Sequence, residues 1–306
     1  MSGLESGMLV GIGARPVRHS LTPVAWNAAF EYLGMNFRYE SWSAPTLEEL
    51  EDKLKAIRSD SSIRGFNVTL PWKEEVAKRC ELADHTSKAV GAVNTVRNTP
   101  AGFEGFNTDG WGAVMALAQA GADIDGGTAV IAGAGGAARS IAYELAKAGA
   151  KVFVLNRTPE RASVLCDVIN QSLENKMVCQ GLDEMKYALP KATVFVNTTP
   201  LGGNERPGES ILSLEEVLST PEECVFLDAV YNPSQTPLLG HAAKAGRAVV
   251  PGSEMLIMQA VKGFEIFFTT PPSGPAVEKM RGALEQALEE HEKAREREGT
   301  HGSQSA

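Results

Sequence analysis

Residues 129–161 hold the most legible chemistry in this 306-residue chain. Gly133, Gly135 and Ala138 fit the pattern G-x-G-x-x-G/A. They follow a short apolar run at 129–132, as a buried parallel strand would supply, and open a helical pattern reaching about 148. In such a turn the first glycine permits the bend and the second lets a pyrophosphate approach the backbone. The third small residue lets helix and strand pack closely, and the helix N-terminus favours the anion. Gly149 suits the helix C-cap, and a second apolar strand follows at 151–155. The residues after that strand select the nucleotide. NAD sites usually place Asp or Glu there to hold the ribose 2′-hydroxyl. This chain has Asn156, Arg157 and Thr158, then Arg161. A carboxylate would repel a 2′-phosphate, whereas guanidinium groups bind it with charge-assisted bonds. The expected cofactor is therefore NADP. The plainer reading, an unrelated glycine turn with solvated arginines, does not explain both strands, the spacing and two arginines together.

Four polar clusters stand in the first half, where a plain α/β core would be apolar. They are His19-Ser20-Leu21-Thr22-Pro23, Asn67-Val68-Thr69-Leu70-Pro71-Trp72-Lys73, Gly91-Ala92-Val93-Asn94-Thr95 and Asn107-Thr108-Asp109-Gly110. Three of them lie near strand ends, where open sheets place ligands. They offer hydroxyls, amides, one ammonium and one carboxylate, which suits a polyhydroxylated small molecule better than an apolar one. Each residue also has an ordinary structural use. Ser20 and Thr22 can cap a helix, Asn94 can satisfy a turn, and Asp109 can be an N-cap. Lys73 can be a solvated surface lysine, and His19 a structural hydrogen-bonder. Only their co-occurrence argues for chemistry.

Alternating strand-like and helical patterns must position these groups, which indicates an α/β fold. Strands are expected at 8–12, 37–42, 63–68, 91–97, 193–197, 225–228 and 248–250, besides the two around the glycine turn. Thr22 and Pro23 read as N-cap and N1 of a helix stopping near Gly34. Further helices are expected at 47–57, from Pro71, from Asp109 to before Gly121, and at 253–268 and 276–298, with a frayed tail from about 294. The glycine turn comes late enough for a separate domain to precede it. The expected division is 1–112 for substrate, 113–251 for the dinucleotide, and 252–306 as C-terminal helices.

At 43% apolar and 22% charged residues the composition is that of an ordinary soluble protein. A net charge of −9 without a long basic run argues against nucleic acid. The four cysteines, Cys80, Cys166, Cys179 and Cys224, form no close-spaced pair. Free buried thiols in a reducing compartment are expected, with no metal site. The opening MSGLESGMLVGIG lacks the flank and core of a signal peptide, and no apolar run is long enough to span a membrane. The expectation is a cytoplasmic protein whose partners are a small-molecule substrate and at most a second copy in a homodimer.

The motifs also carry a family resemblance. Pro16-Val17-Arg18-His19-Ser20-Leu21-Thr22-Pro23, Asn67-Val68-Thr69-x-Pro71-x-Lys73, Gly91-Ala92-Val93-Asn94-Thr95, Asn107-Thr108-Asp109-Gly110, the glycine turn, Asn156-Arg157-Thr158, Asn197-Thr198-Thr199-Pro200-Leu201-Gly202, Tyr231-Asn232-Pro233 and Gln259 occur in one series. In that order they resemble the shikimate/quinate dehydrogenases, from about Met8 to Phe268. The resemblance implies an N-terminal substrate domain, a Rossmann-like NADP domain, and final helices that return to the first. It implies Lys73 and Asp109 as the catalytic pair. It implies Ser20, Thr22, Thr69, Asn94 and Gln259 on the substrate's hydroxyls and carboxylate, with Tyr231 near. It places Gly133, Ala134, Gly135, Gly136, Ala137, Asn156, Arg157, Thr158, Arg161, Thr198, Ala229, Gly252 and Met255 along the cofactor.

The implied reaction is reversible NADPH-linked reduction of 3-dehydroshikimate to shikimate, in aromatic amino acid biosynthesis. The alternatives are an enzyme acting mainly on quinate and a non-catalytic NADP-binding regulator. Three departures stand out. Thr22 replaces a common serine. Trp26 and Trp72 replace a common histidine and phenylalanine. Pro251-Gly252-Ser253-Glu254-Met255 replaces a more glycine-rich stretch and adds a negative charge.

Overall fold

The computed structural model describes residues 6–14, 21–174 and 177–302. Its first part runs β1 (Gly7–Gly13), α1 (Thr22–Tyr32), β2 (Phe37–Ser43), α2 (Leu47–Ser59), β3 (Ile63–Val68), α3 (Lys73–Ala77), β4 (Leu82–Ala83), α4 (His85–Val90), β5 (Thr95–Thr99) and β6 (Gly102–Phe106). These strands form one sheet ordered β2-β1-β3-β5-β6-β4. β1 pairs in parallel with β2 and β3, whereas β5 runs antiparallel to β3 and β6.

Helix α5 (Asp109–Gln119) leads to β7 (Thr128–Ala132), α6 (Gly136–Lys147), β8 (Lys151–Asn156), α7 (Pro159–Ile169), β9 (Val178–Gly181), α8 (Met185–Ala188), β10 (Val194–Asn197), α9 (Leu214–Leu218), β11 (Val225–Asp228), α10 (Pro237–Lys244) and β12 (Ala248–Val250). The second sheet, ordered β12-β11-β10-β7-β8-β9, is parallel throughout. Its winding reverses between β7 and β10, so a crevice opens beyond the C-terminal ends of those two strands. Val130, Ile131, Phe195 and Phe226 are fully buried, as strands covered on both faces require.

The last helices, α11 (Gly252–Phe268) and α12 (Gly274–Gly302), return to the first sheet. Trp26 of α1 joins them to it. The ring is 1% exposed and stacks on Tyr39 of β2 and Phe264 of α11, both at 5.8 Å between centroids. Arg64 and Arg97 add hydrogen bonds to the carbonyls of Phe267 and Ile266. Trp26 thus serves the core as well as lining the cleft described below.

Several expectations need correction. Helix α1 has Leu21 at its N-cap position without a side-chain bond, so Thr22 is its first residue and not its cap. The cis Leu70–Pro71 bond turns the chain, and the short helix begins at Lys73, not Pro71. Residues 91–94 are not strand. Asp84 caps α4, Gly91 ends it with φ 69°, and β5 starts at Thr95. Strands β4 and β6 and helix α4 were not anticipated, because each is short and weakly periodic. The C-terminal helix spans Gly274–Gly302, against the 276–298 expected from the sequence. Its Glu- and Lys-rich sequence, with an ion pair between Lys293 and Glu289, is good helix material despite being polar.

The free-thiol expectation fails for two cysteines. Helix α7 packs beside β9, and Cys166 and Cys179 form a disulfide with Cα atoms 6.1 Å apart. The sequence separation of 13 gave no motif, since only the fold brings the pair together. Cys80 and Cys224 are free. A loop of that size is expected to contribute about 3 kcal/mol. Cys166→Ser should therefore lower the melting temperature, and reductant should lower the wild type to the same value. Equal melting temperatures in all three samples would contradict a formed bond.

Candidate active site

The first residues of helices α3 and α5, which follow β3 and β6, come together. Lys73 begins α3 and Asp109 begins α5. Lys73 Nζ lies 2.5 Å from Asp109 Oδ2, and the side chains are 15% and 5% exposed. The other oxygen, Oδ1, accepts from Asn94 Nδ2 at 2.8 Å. Thr108, not Asp109, occupies the N-cap position, so the carboxylate is turned to Lys73 and Asn94 rather than to the backbone of its own helix.

Asn94 is nearly fully engaged. Its amide nitrogen also reaches Thr108 Oγ1 at 3.0 Å, and its oxygen accepts from Thr108 N at 2.8 Å and Thr95 Oγ1 at 3.0 Å. Asn67, which sequence reasoning quoted in a motif but did not nominate, is held likewise. Its amide donates to Asn94 O and Thr95 Oγ1, and Tyr39 donates its hydroxyl to Asn67 Oδ1 at 3.2 Å. Tyr39 is buried, which pushes its phenol well above the usual range. Its role left no signal beyond an aromatic in a strand.

These groups line a cleft of about 880 Å³ between the two sheets. That is ample for a cofactor portion and a small substrate. Of the nominated residues, Thr22, Thr69, Lys73, Asn94, Asp109, Tyr231 and Gln259 meet there, and Ala137, Ala229, Gly252 and Met255 border it from the other side. Trp26, Tyr39 and Asn67 are lining residues that were not nominated. Ser20 lies outside the described residues. Gln259 reaches the cleft because Gly112 leaves it room: a Cβ there would sit 2.7 Å from Gln259 Cγ. The side chains of Thr22, Thr69, Tyr231 and Gln259 have no hydrogen-bond partner among the described residues. A ring of unpaired hydroxyls and one amide around a buried ion pair is equipped to hold a polyhydroxylated ligand.

The glycine turn lies at the crevice of the second sheet. Gly133 has φ 110°, and a Cβ on it would meet Thr198 Oγ1 at 2.4 Å. Thr198 in turn donates to Ala132 O at 2.8 Å, joining the ends of β7 and β10. At Gly135 and Gly136 a Cβ would meet nothing within 4 Å. This is open space in front of the α6 N-terminus, the room a pyrophosphate needs. Ala134 lies in the same turn. Asn156 donates to Thr158 O at 2.8 Å and shapes the turn after β8. Arg157 and Arg161 are exposed beyond it, with no ion-pair partner among the described residues. These glycines and guanidiniums fit a dinucleotide carrying a 2′-phosphate.

The crevice floor is braced by Asp228. This fully buried carboxylate accepts from Asn197, Thr236 and the Val230 amide. Burial pushes it up to about 6, against the pull of those three bonds. Gly252 packs where a Cβ would meet Val230 O at 2.6 Å. Glu254 is not a loose charge at the cleft. Arg281 of α12 grips both of its oxygens, at 2.8 and 3.0 Å. Among the described residues no cluster could hold a metal ion, and no helix is long and apolar enough to cross a membrane.

Comparisons with known proteins agree with this layout. Residues 12–96 match the family model of the shikimate dehydrogenase substrate binding domain, and residues 115–204 match that of shikimate / quinate 5-dehydrogenase. A shikimate dehydrogenase (NADP(+)) of Methanopyrus kandleri is 39% identical over 92% of this chain and 96% of its own. A crystal structure of a shikimate dehydrogenase in complex with NADP+ has a TM-score of 0.84 at 34% identity, covering 94% of this chain and 98% of that one. The Thermus thermophilus enzyme in complex with NADP(H) and shikimate has a TM-score of 0.79 at 34% identity, covering 92% and 99%. The chain belongs to the shikimate dehydrogenase family of NADP-dependent oxidoreductases.

Proposed function

We propose that this chain catalyses the reversible, NADP(H)-linked reduction of 3-dehydroshikimate to shikimate, with Lys73 and Asp109 as its catalytic pair. The observation that carries this reading is the buried contact between Lys73 and Asp109 inside a ring of unpaired hydroxyl and amide groups. When bound, the nicotinamide supplies the hydride. Lys73 then serves as proton donor to the carbonyl oxygen on which negative charge develops, and withdraws that proton in the reverse direction. Asp109 holds the ammonium in place and shares its proton traffic. Asn94 acts chiefly through Asp109, since its amide is already committed to it. Thr22, Thr69, Gln259 and Tyr231 hold substrate hydroxyls and carboxylate, and the family resemblance assigns Ser20 the same role. Arg157 and Arg161 hold the 2′-phosphate, Gly133 permits the turn, and Gly135 and Gly136 make room for the pyrophosphate.

We keep the division at 112 and 251, a homodimer and a cytoplasmic location as parts of the same proposal. The location loses one of its grounds, because Cys166 and Cys179 are bonded rather than free. A light-scattering mass would decide the oligomeric state.

The direct test follows nicotinamide absorbance with purified protein and pairs shikimate and quinate with NADP and NAD in all four combinations. Shikimate with NADP should be the preferred pair. Comparable efficiencies on quinate would instead favour the quinate enzyme. No turnover in any combination would favour a binding regulator.

Lys73→Ala should cut turnover by about 10²–10⁴-fold, the usual range for a lost acid–base group. It should also reduce stability, because Asp109 is left buried without its counter-charge. NADP affinity should barely change. Near-normal turnover in the folded variant would remove Lys73 from the chemistry. Asp109→Asn should behave similarly; a purely structural Asp109 would instead lower the melting temperature and spare turnover.

Arg157→Ala should raise the KM for NADP about tenfold or more, because a charged hydrogen bond contributes roughly 1.5–3 kcal/mol. The KM for NAD should hold steady. Equal weakening of both cofactors would show that Arg157 does not read the 2′-phosphate. Thr22→Ser should change the shikimate-to-quinate ratio by no more than ~10-fold, the scale of one methylene-sized change in a pocket. A larger change would make Thr22 the main determinant of substrate choice.

A further inference from the structure

Helix α6 carries the glycine turn at its start, yet it is also fastened to the elements that hold Lys73 and Asp109. Ser140, 0% exposed, makes the central link. Its hydroxyl donates to Asn107 Oδ1 at 2.8 Å and accepts from the Gly110 amide at 2.8 Å. Asn107 Oδ1 also accepts from the Asp109 amide at 3.2 Å, while Asn107 Nδ2 donates to Ala92 O at 3.0 Å. One hydroxyl therefore bonds to residues on both sides of Asp109. The Gly110 amide lies in the first turn of α5, where no helical carbonyl is available to it, so Ser140 is its acceptor. The two helices touch closely here, since a Cβ on Gly110 would sit 2.1 Å from Ser140 O. Ion pairing of Arg139 with Glu74 at 3.3 Å and the Thr86–Glu144 hydrogen bond at 2.5 Å fasten the same helix on either side of Ser140.

We propose that Ser140 is a positioning residue: its hydroxyl locks the dinucleotide helix to the Asn107–Gly110 turn and so sets the glycine turn in register with the Lys73–Asp109 pair. The inference rests on the functional reading given above. A hydroxyl bonded in this way resists sliding of α6 along α5. Catalysis that depends on two preset groups is sensitive to shifts of that kind, and a misplacement of about one ångström can cost roughly 10²-fold.

Three variants test it, with Thr86→Val as the control that removes another bond to α6 away from Asp109. In the ligand-free protein, Ser140→Ala should speed hydrogen exchange of the Gly110 amide about tenfold or more, as expected for a lost acceptor. With substrate, it should lower kcat by about tenfold or more, the effect of a displaced reacting pair. The Kd for NADP, measured by binding, should stay within about twofold, because the glycine turn itself is intact. Ser140→Cys is slightly larger but keeps a weak donor and acceptor and should recover part of kcat, so it serves if Ser140→Ala does not fold. Thr86→Val should lower the melting temperature and leave kcat unchanged. A kcat in Ser140→Ala no lower than in Thr86→Val, or a loss confined to NADP binding, would overturn the proposal. Unchanged exchange at Gly110 would overturn it as well. A wild-type chain inactive on both substrates would overturn the functional reading instead, and the exchange measurement would then judge Ser140 alone.

Discussion

At the centre of the cleft sits one carboxylate that would be costly if left alone. Asp109 is 3% exposed, and an unpaired charge so placed would be strongly destabilising. Lys73 neutralises one oxygen and the Asn94 amide satisfies the other. Each partner is fixed in turn. Lys73 is placed by the turn at Leu70–Pro71, and Asn94 by Thr95 and Thr108. Three backbone segments, β3, β5 and the start of α5, converge for this network to close.

The second half of the molecule meets a different constraint, the room that its glycine turn leaves in front of α6. Open space faces Gly135 and Gly136, whereas Gly133 has none because Thr198 fills it. The glycines thus do unlike jobs: one lets β7 and β10 converge, and the others leave a vestibule. Fixed contacts hold the C-terminal helices to the first sheet and to one another. Trp26 stacks between Tyr39 and Phe264, and Arg281 ties Glu254 at the start of α11 to α12. The wall of the cleft is therefore also core, which accounts for large aromatics where a polar lining alone would suffice.

Much of this was legible in the sequence where one residue type has one physical use. A glycine turn between two apolar strands, followed by arginines instead of a carboxylate, left few alternatives. Strands at 63–68, 225–228 and 248–250 fell where their apolar runs indicated. What stayed hidden depends on tertiary proximity. Cys166 and Cys179 carry no spacing signature, and only the meeting of α7 with β9 pairs them. Glu254 looked like an unexplained charge until Arg281, far along the chain, came beside it. Tyr39 and Asn67 enter the cleft through strand register, and neither local period nor composition displays that. Short segments such as β4 and α4 fell below the length at which periodicity speaks.

The central claim is that Lys73 and Asp109 form one functional unit rather than two independent contributors. Groups that act as a unit lose most of their effect once either is removed, so their losses do not multiply. The decisive measurement is kcat for the double variant Lys73→Ala/Asp109→Asn beside both single variants, with each shown to be folded. A double variant no slower than the slower single, within about threefold, is the result expected of coupled residues. Losses that multiply would contradict it and make the 2.5 Å contact a neighbourhood of two separate roles.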